Sequence, residues 1–159
     1  MRRASVRAAV VAAACVGSVA ALSVAPAQAT GRSAQALSTV MTGAAEVPGP
    51  GDADGIGVFA AVTKRNTLCY LVTAHRIEPA MAAHIHAGTS DVAGGIVVGL
   101  KPPTHGFAAD CIRTLPDTQN TTETLTVSEL AAIRANPNQY YVNIHNDPFM
   151  AGAIRGQLR

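Results

Sequence analysis

From Leu37 onward, short apolar segments alternate with clusters of turn residues, and this pattern restricts the fold more than any other feature of the sequence. Segments with period-two alternation are typical of strands, and clusters such as Pro48-Gly49-Pro50-Gly51 separate them. The pattern predicts strands at 37–47, 57–64, 67–75, 82–87, 95–100, 122–126, 140–146 and 153–158, and an irregular segment at 101–116. We therefore expect an all-β fold, either an antiparallel Greek-key sandwich or a flattened barrel.

One short helix interrupts the predicted strands. Thr126-Val127-Ser128-Glu129 has the spacing of a capping box, and Asn136-Pro137 ends the helical pattern. The sequence predicts a helix over about 127–135.

The first 29 residues have the three parts of a signal peptide: a basic start, an uncharged run from Ala8 to Ala25, and Ala27-Gln28-Ala29. We predict cleavage after Ala29, a flexible N-terminus at 30–36 and one β domain at 37–159. The expected location is secreted or extracytoplasmic, with no membrane attachment after cleavage. The alternative is a retained membrane anchor, since the apolar run is about long enough to span a bilayer as a helix.

Cleavage also changes the charge of the chain. It removes three of the 12 basic residues and none of the 10 acidic ones, which leaves a formal charge of −1. Because the remaining chain has no basic excess, we expect no nucleic-acid binding.

Two cysteines, Cys69 and Cys111, remain after cleavage. Outside the cytoplasm an even pair predicts a disulfide. The alternative, a pair of thiolate metal ligands, lacks the close spacing of such sites.

Three histidines are candidate metal ligands. His84 and His86 share one face of a strand while Ile85 takes the other, and His145 lies opposite Ile144 on a late strand. If both isoleucines face the core, the three imidazoles lie on the outside and suit Cu or Zn. The alternative is a hydrogen-bonded polar patch without a metal.

Other polar residues are weaker candidates. Asn143 and Arg155 are predicted to support the histidines, although a surface salt bridge is the simpler expectation for Arg155. His75 and His105 are expected at a strand end and in a loop, and Asp91 is expected to be a turn residue.

Several motifs resemble the CHRD domain, the chordin-type module that also occurs singly in exported bacterial proteins. They are Ala45-Glu46-Val47-Pro48, Ala83-His84-Ile85-His86-Ala87-Gly88, Tyr141-Val142-Asn143-Ile144-His145-Asn146 and Gly152-Ala153-Ile154-Arg155-Gly156-Gln157-Leu158. The resemblance spans about residues 37–159 and implies an all-β extracellular domain without a defined activity. The Cys69–Cys111 pair and the segment 102–111 need not be shared by the family.

The order of the histidines also resembles copper/zinc superoxide dismutases, which place an H-x-H pair and a late histidine on the outer face of a flattened barrel. Only His105 lies between His86 and His145, so the zinc ligands of those enzymes are missing. The resemblance therefore does not imply dismutase activity, even if a copper ion binds.

No catalytic triad or cofactor motif is visible in the sequence. We therefore expect a secreted, non-catalytic binding or structural module with an extracellular or cell-envelope partner. The alternative is a copper- or zinc-binding protein, with or without weak redox activity.

Overall fold

The predicted alternation appears as eight strands and one α-helix in a computed structural model of the protein, which describes residues 33–159. The strands are β1 Gln35–Thr42, β2 Ile56–Lys64, β3 Thr67–His75, β4 Ala82–Ala87, β5 Ile96–Leu100, β6 Phe107–Arg113, β7 Tyr140–His145 and β8 Ile154–Gln157. The helix α1 spans Val127–Ala135. The predicted signal peptide, residues 1–29, lies outside the described residues.

All eight strands form one antiparallel sheet in the order β5-β4-β7-β8-β1-β2-β3-β6. The sheet curls, because side chains from its two halves, such as Ile85 of β4 and Tyr70 of β3, share one apolar core. The hydroxyl oxygen of Tyr70 accepts a 2.7 Å hydrogen bond from the backbone N–H of Lys101, directly after β5. The predicted antiparallel all-β class is confirmed, in a form close to a barrel.

The segment between β6 and α1 links the two edge strands. Gly99 N–H in β5 donates to Thr122 O at 2.9 Å, and Leu115 N–H, just after β6, donates to Leu125 O at 2.9 Å. This segment is not a strand, so the prediction of a strand at 122–126 is wrong. Its backbone hydrogen bonds go to two different partners instead of one continuous ladder.

The irregular structure predicted for 101–116 is also wrong in part, because residues 107–113 form β6. Pro102, Pro103 and Gly106 are confined to the connection before β6, which then pairs with β3 in a register that places Cys69 beside Cys111. The first strand also differs from the prediction. It begins at Gln35, within the segment expected to be flexible, and ends at Thr42, where a short 3-10 turn follows.

The helix and the disulfide are confirmed. The hydroxyl of Thr126 accepts from Glu129 N–H, and the Glu129 carboxylate accepts from Thr126 N–H at 2.8 Å, which completes the capping box. Cys69 and Cys111 are bonded across β3 and β6. Among residues 33–159, no helix is long and apolar enough to cross a membrane.

Candidate metal centre

Neighbouring strands bring the three candidate histidines to one place on the outer face of the sheet. β4 pairs with β7 so that His84 lies opposite Asn143 and Ala82 opposite His145. Ile85 and Ile144 point inward and are fully buried. Since side chains alternate along a strand, His84, His86 and His145 are turned outward together, as the alternation predicts.

The ring nitrogens of these histidines are close enough to share a ligand. One ligand atom from each ring lies within 4.8 Å of the other two, and Nδ1 of His84 is 3.1 Å from Nε2 of His145. His86 is buried, and the other two rings are half-buried. The cluster therefore has an inner side closed by protein and an outer side open to solvent.

Backbone carbonyls fix the orientation of two rings. His86 Nδ1 donates to Gly94 O at 2.9 Å, and His145 Nδ1 donates to Met150 O at 3.0 Å. Because a carbonyl can only accept, Nδ1 holds the proton in both neutral rings and Nε2 carries a lone pair. His86 Nε2 is buried without a hydrogen-bond partner among the described residues, which is costly unless another atom binds it.

Burial lowers the pKa of all three histidines. The pKa of His84 is lowered to about 4, first by burial and then by the neighbouring charges that His145 and His86 would carry if protonated. The pKa values of His86 and His145 are also lowered, mainly by burial. The rings are therefore neutral at pH 7, which is the protonation state that binds metal ions.

The cluster fits a tetrahedral or related metal site after a small contraction. With metal–nitrogen bonds of about 2.0 Å, ligand nitrogens in a tetrahedral site lie about 3.3 Å apart. Nδ1 of His84 and Nε2 of His145 are 3.1 Å apart, close to this spacing; in this structure they form a hydrogen bond, whose proton a metal ion would replace. The ligand atoms of the three rings lie within 4.8 Å of one another, so the widest separation has to shorten by up to about 1.5 Å to reach this spacing.

Behind His86, an aromatic ring and a guanidinium group form a stack. The ring of Tyr141 lies 4.8 Å from that of His86 and is nearly parallel to it, and Cζ of Arg155 is 3.4 Å from the centre of the Tyr141 ring. The Tyr141 hydroxyl oxygen accepts from Gly94 N–H at 3.1 Å. The stack therefore supports both His86 and the carbonyl group that orients it.

Residues 37–158, which include the three histidines and both cysteines, match the family described as CHRD domain. The chain belongs to the CHRD domain family. CHRD domains are extracellular-type modules. Comparison with curated proteins and with solved structures gives no match.

In this CHRD domain, Arg155 does not form the surface salt bridge expected from the sequence. It is 1% exposed, and Nη2 donates to Thr89 O at 2.7 Å and to Val92 O at 3.0 Å. The residues between β4 and β5 fold over Arg155, and this cover buries it. Its contacts fix the loop that contains Gly94.

The other residues predicted from the sequence either lie beside the histidine cluster or are outside it. Asn143 is buried, and its side-chain amide lies 3.1 Å from Nε2 of His145. Because Nε2 carries a lone pair, a hydrogen bond between them requires the NH2 group of the amide, not its oxygen, to face the ring. Asp91 is the turn residue that the sequence predicts, and its carboxylate accepts from the Thr89 hydroxyl at 2.6 Å. His75 and His105 lie outside the cluster, and the His105 ring is hydrogen-bonded to the hydroxyl of Thr104.

Three groups of the site are not among the residues predicted from the sequence. Alternation puts Tyr141 on the same strand face as Asn143 and His145, but its stacking on His86 was not predicted. Gly94 and Met150 act through their carbonyl oxygens, and a backbone oxygen leaves no signature in side-chain chemistry.

Glu46 is a buried carboxyl group on the other side of Arg155. Burial raises its pKa to about 7, and the Arg155 charge and a hydrogen bond from Val47 N–H only partly oppose this shift. Glu46 packs against Gly152, which has a φ of 147° and where a Cβ would collide with the carboxyl group.

The raised pKa of Glu46 makes the stability of the domain depend on pH. The folded state holds a proton that the unfolded state releases between about pH 4.5 and pH 7, so wild-type stability falls across this range. Glu46→Gln should be neutral at pH 4.5 and stabilising by about 2 kcal/mol at pH 8, as measured by urea unfolding. The exposed Glu123→Gln serves as control, and an equal effect of Glu46→Gln at both pH values would contradict this explanation.

Proposed function

We propose that this CHRD domain is a non-catalytic, extracytoplasmic binding module whose ligand is a copper or zinc ion held by His84, His86 and His145. The observation that carries the proposal is the set of ligand nitrogens within 4.8 Å of one another. Two of these rings are oriented by backbone carbonyls through their far nitrogens. In metal-bound histidines, the ring nitrogen that does not bind the metal commonly donates a hydrogen bond in this way.

The donor set favours copper over other metals. Three neutral imidazoles, with no thiolate or carboxylate in the cluster, suit Cu and Zn. Nitrogen sites bind Cu(II) more tightly than Zn(II) in the general order of divalent metals. The solvent side of the cluster, next to the half-buried His84 and His145, leaves room for a water or an exchangeable ligand.

The sequence supports a binding role rather than dismutation. His105, which alone among histidines lies between His86 and His145 in the sequence, is bonded to Thr104 and is not part of the cluster. The signal-like N-terminus and the disulfide support a location outside the cytoplasm, where copper and zinc ions meet exported proteins.

Metal titration of the purified protein tests this function. After treatment with a chelator, we expect calorimetry to show one Cu(II) ion bound per chain, and Zn(II) bound at the same site with lower affinity. Elemental analysis of protein purified without chelator should find the same stoichiometry. If neither metal binds, the histidines are a hydrogen-bonded structural patch and the proposed function is wrong.

A further inference from the structure

The outer face of β1, β2, β3 and β6 is apolar, and no described residue covers it. Leu71, near its centre, is 41% exposed, and Phe107 at one edge is 59% exposed. We call this surface the apolar face; its apolar members are Ala36, Val40, Ile56, Val58, Ala60, Val62, Leu71, Phe107 and Ala109. The same face also carries polar residues, among them Ser38, Thr67 and Thr73, but its large exposed side chains are mostly apolar, which is typical of a sheet covered on both sides.

The other half of the sheet shows the contrast. There the outer face carries the histidine cluster, Tyr141 and Arg155, and the loop after β4 folds over it. Single exposed hydrophobic residues also occur elsewhere, such as Val127 and Met150, but a contiguous uncovered apolar surface marks an interaction site.

We propose that a second copy of this chain covers the apolar face, so that the protein is a face-to-face homodimer. Small side chains such as Ala60 and Ala109 lie between the larger ones on this face, and packed sheets approach to about 10 Å. In a dimer with a two-fold axis, both copies contribute the same surface to the interface, so the apolar face packs against itself.

The charges at the two ends of the apolar face select the orientation of the pair. Lys64, Arg65 and Arg113 surround a depression at the end formed by the β2–β3 turn, and no residue lining it is acidic. A two-fold axis parallel to the strands would place the basic end of one copy against the basic end of the other. An axis across the strands avoids this repulsion.

With the axis across the strands, each basic end meets the opposite end of the partner's face. That end carries Asp54 just before β2 and Glu78 just after β3, along with one basic residue, Arg76. The charges are therefore complementary in only one of the two face-to-face arrangements.

The size of the apolar face is sufficient for a weak specific dimer. Four strands spaced by about 4.8 Å and about 30 Å long cover roughly 550 Å² per copy in projection. Two copies then remove roughly 1,100 Å² from solvent, near the lower limit for specific interfaces. We therefore expect a dissociation constant in the micromolar range.

Sedimentation equilibrium over about 1 to 300 µM protein tests the dimer. Wild-type protein should pass from monomer to dimer within this range, and Leu71→Glu should weaken association at least 100-fold, because it places two charges in a dry interface. The matched control is Val127→Glu, an equally exposed position on α1, 46% exposed, which should dimerise like wild type. If wild-type protein stays monomeric at every concentration, the proposal is wrong. The apolar face would then have another occupant, either residues 1–32 or a different protein.

A charge swap tests the orientation and does not depend on the folding of Leu71→Glu. Lys64→Glu and Asp54→Lys should each weaken the dimer several-fold, and the double variant should recover most of the wild-type affinity. If both single variants dimerise like wild type, the proposed orientation is wrong. Metal binding is expected to be unchanged in all of these variants, so failure of the dimer and failure of the metal site are separate results.

Discussion

His145→Ala should lower the affinity of the domain for Cu(II) by about 100-fold or more, and His84→Ala should do the same. Loss of a residue that only supports a metal ligand commonly costs 10- to 100-fold, so loss of a ligand itself costs at least the upper value. Both positions are half-buried, so alanine leaves no large cavity in the core. Competition titration with a chelator of known affinity measures the change.

Two histidines outside the cluster provide matched controls. His75→Ala and His105→Ala remove the same side chain from exposed positions and should bind Cu(II) like wild type. If all four variants bind equally, the copper is held elsewhere and the cluster is not its site.

Arg155→Ala should lower the free energy of unfolding by about 3 kcal/mol or more. The substitution removes two charge-assisted hydrogen bonds, each worth about 1.5 to 3 kcal/mol, and the stacking on Tyr141. It also leaves a cavity, because the side chain is 1% exposed. Urea unfolding measures the loss, and Lys101→Ala, at an exposed position, should stay within about 0.5 kcal/mol of wild type.

The effect of Arg155→Ala should reach the metal site through the loop after β4. Without the guanidinium, the carbonyls of Thr89 and Val92 lose their donor, and Gly94 O is held less firmly against His86. We expect a moderate loss of Cu(II) affinity, smaller than that of His145→Ala. Arg155→Ala protein with wild-type stability would show that the buried contacts of this residue contribute little.

The face of the sheet that carries the three histidines could be predicted, because it depends only on the alternation of side chains along single strands. His84 and His86 flank Ile85, and His145 follows Ile144, so the inward isoleucines fix the outward histidines. That β4 and β7 are neighbours could not be deduced, because pairing between strands distant in sequence depends on the whole topology.

The errors have a common cause in long-range contacts. β6 was missed because Asp110 interrupts its apolar alternation and because prolines precede it, whereas its pairing with β3 outweighs this local signal. Arg155 was expected at the surface because a strand pattern shows which side a residue faces but not what covers that side. Here the loop after β4 covers it.

X-ray absorption of the one-to-one copper complex tests the central claim most directly. We predict three imidazole nitrogens at about 2.0 Å from the metal, and the loss of one of them in His145→Ala. A spectrum with one imidazole or none in the wild-type complex would contradict the proposal that His84, His86 and His145 together hold the ion.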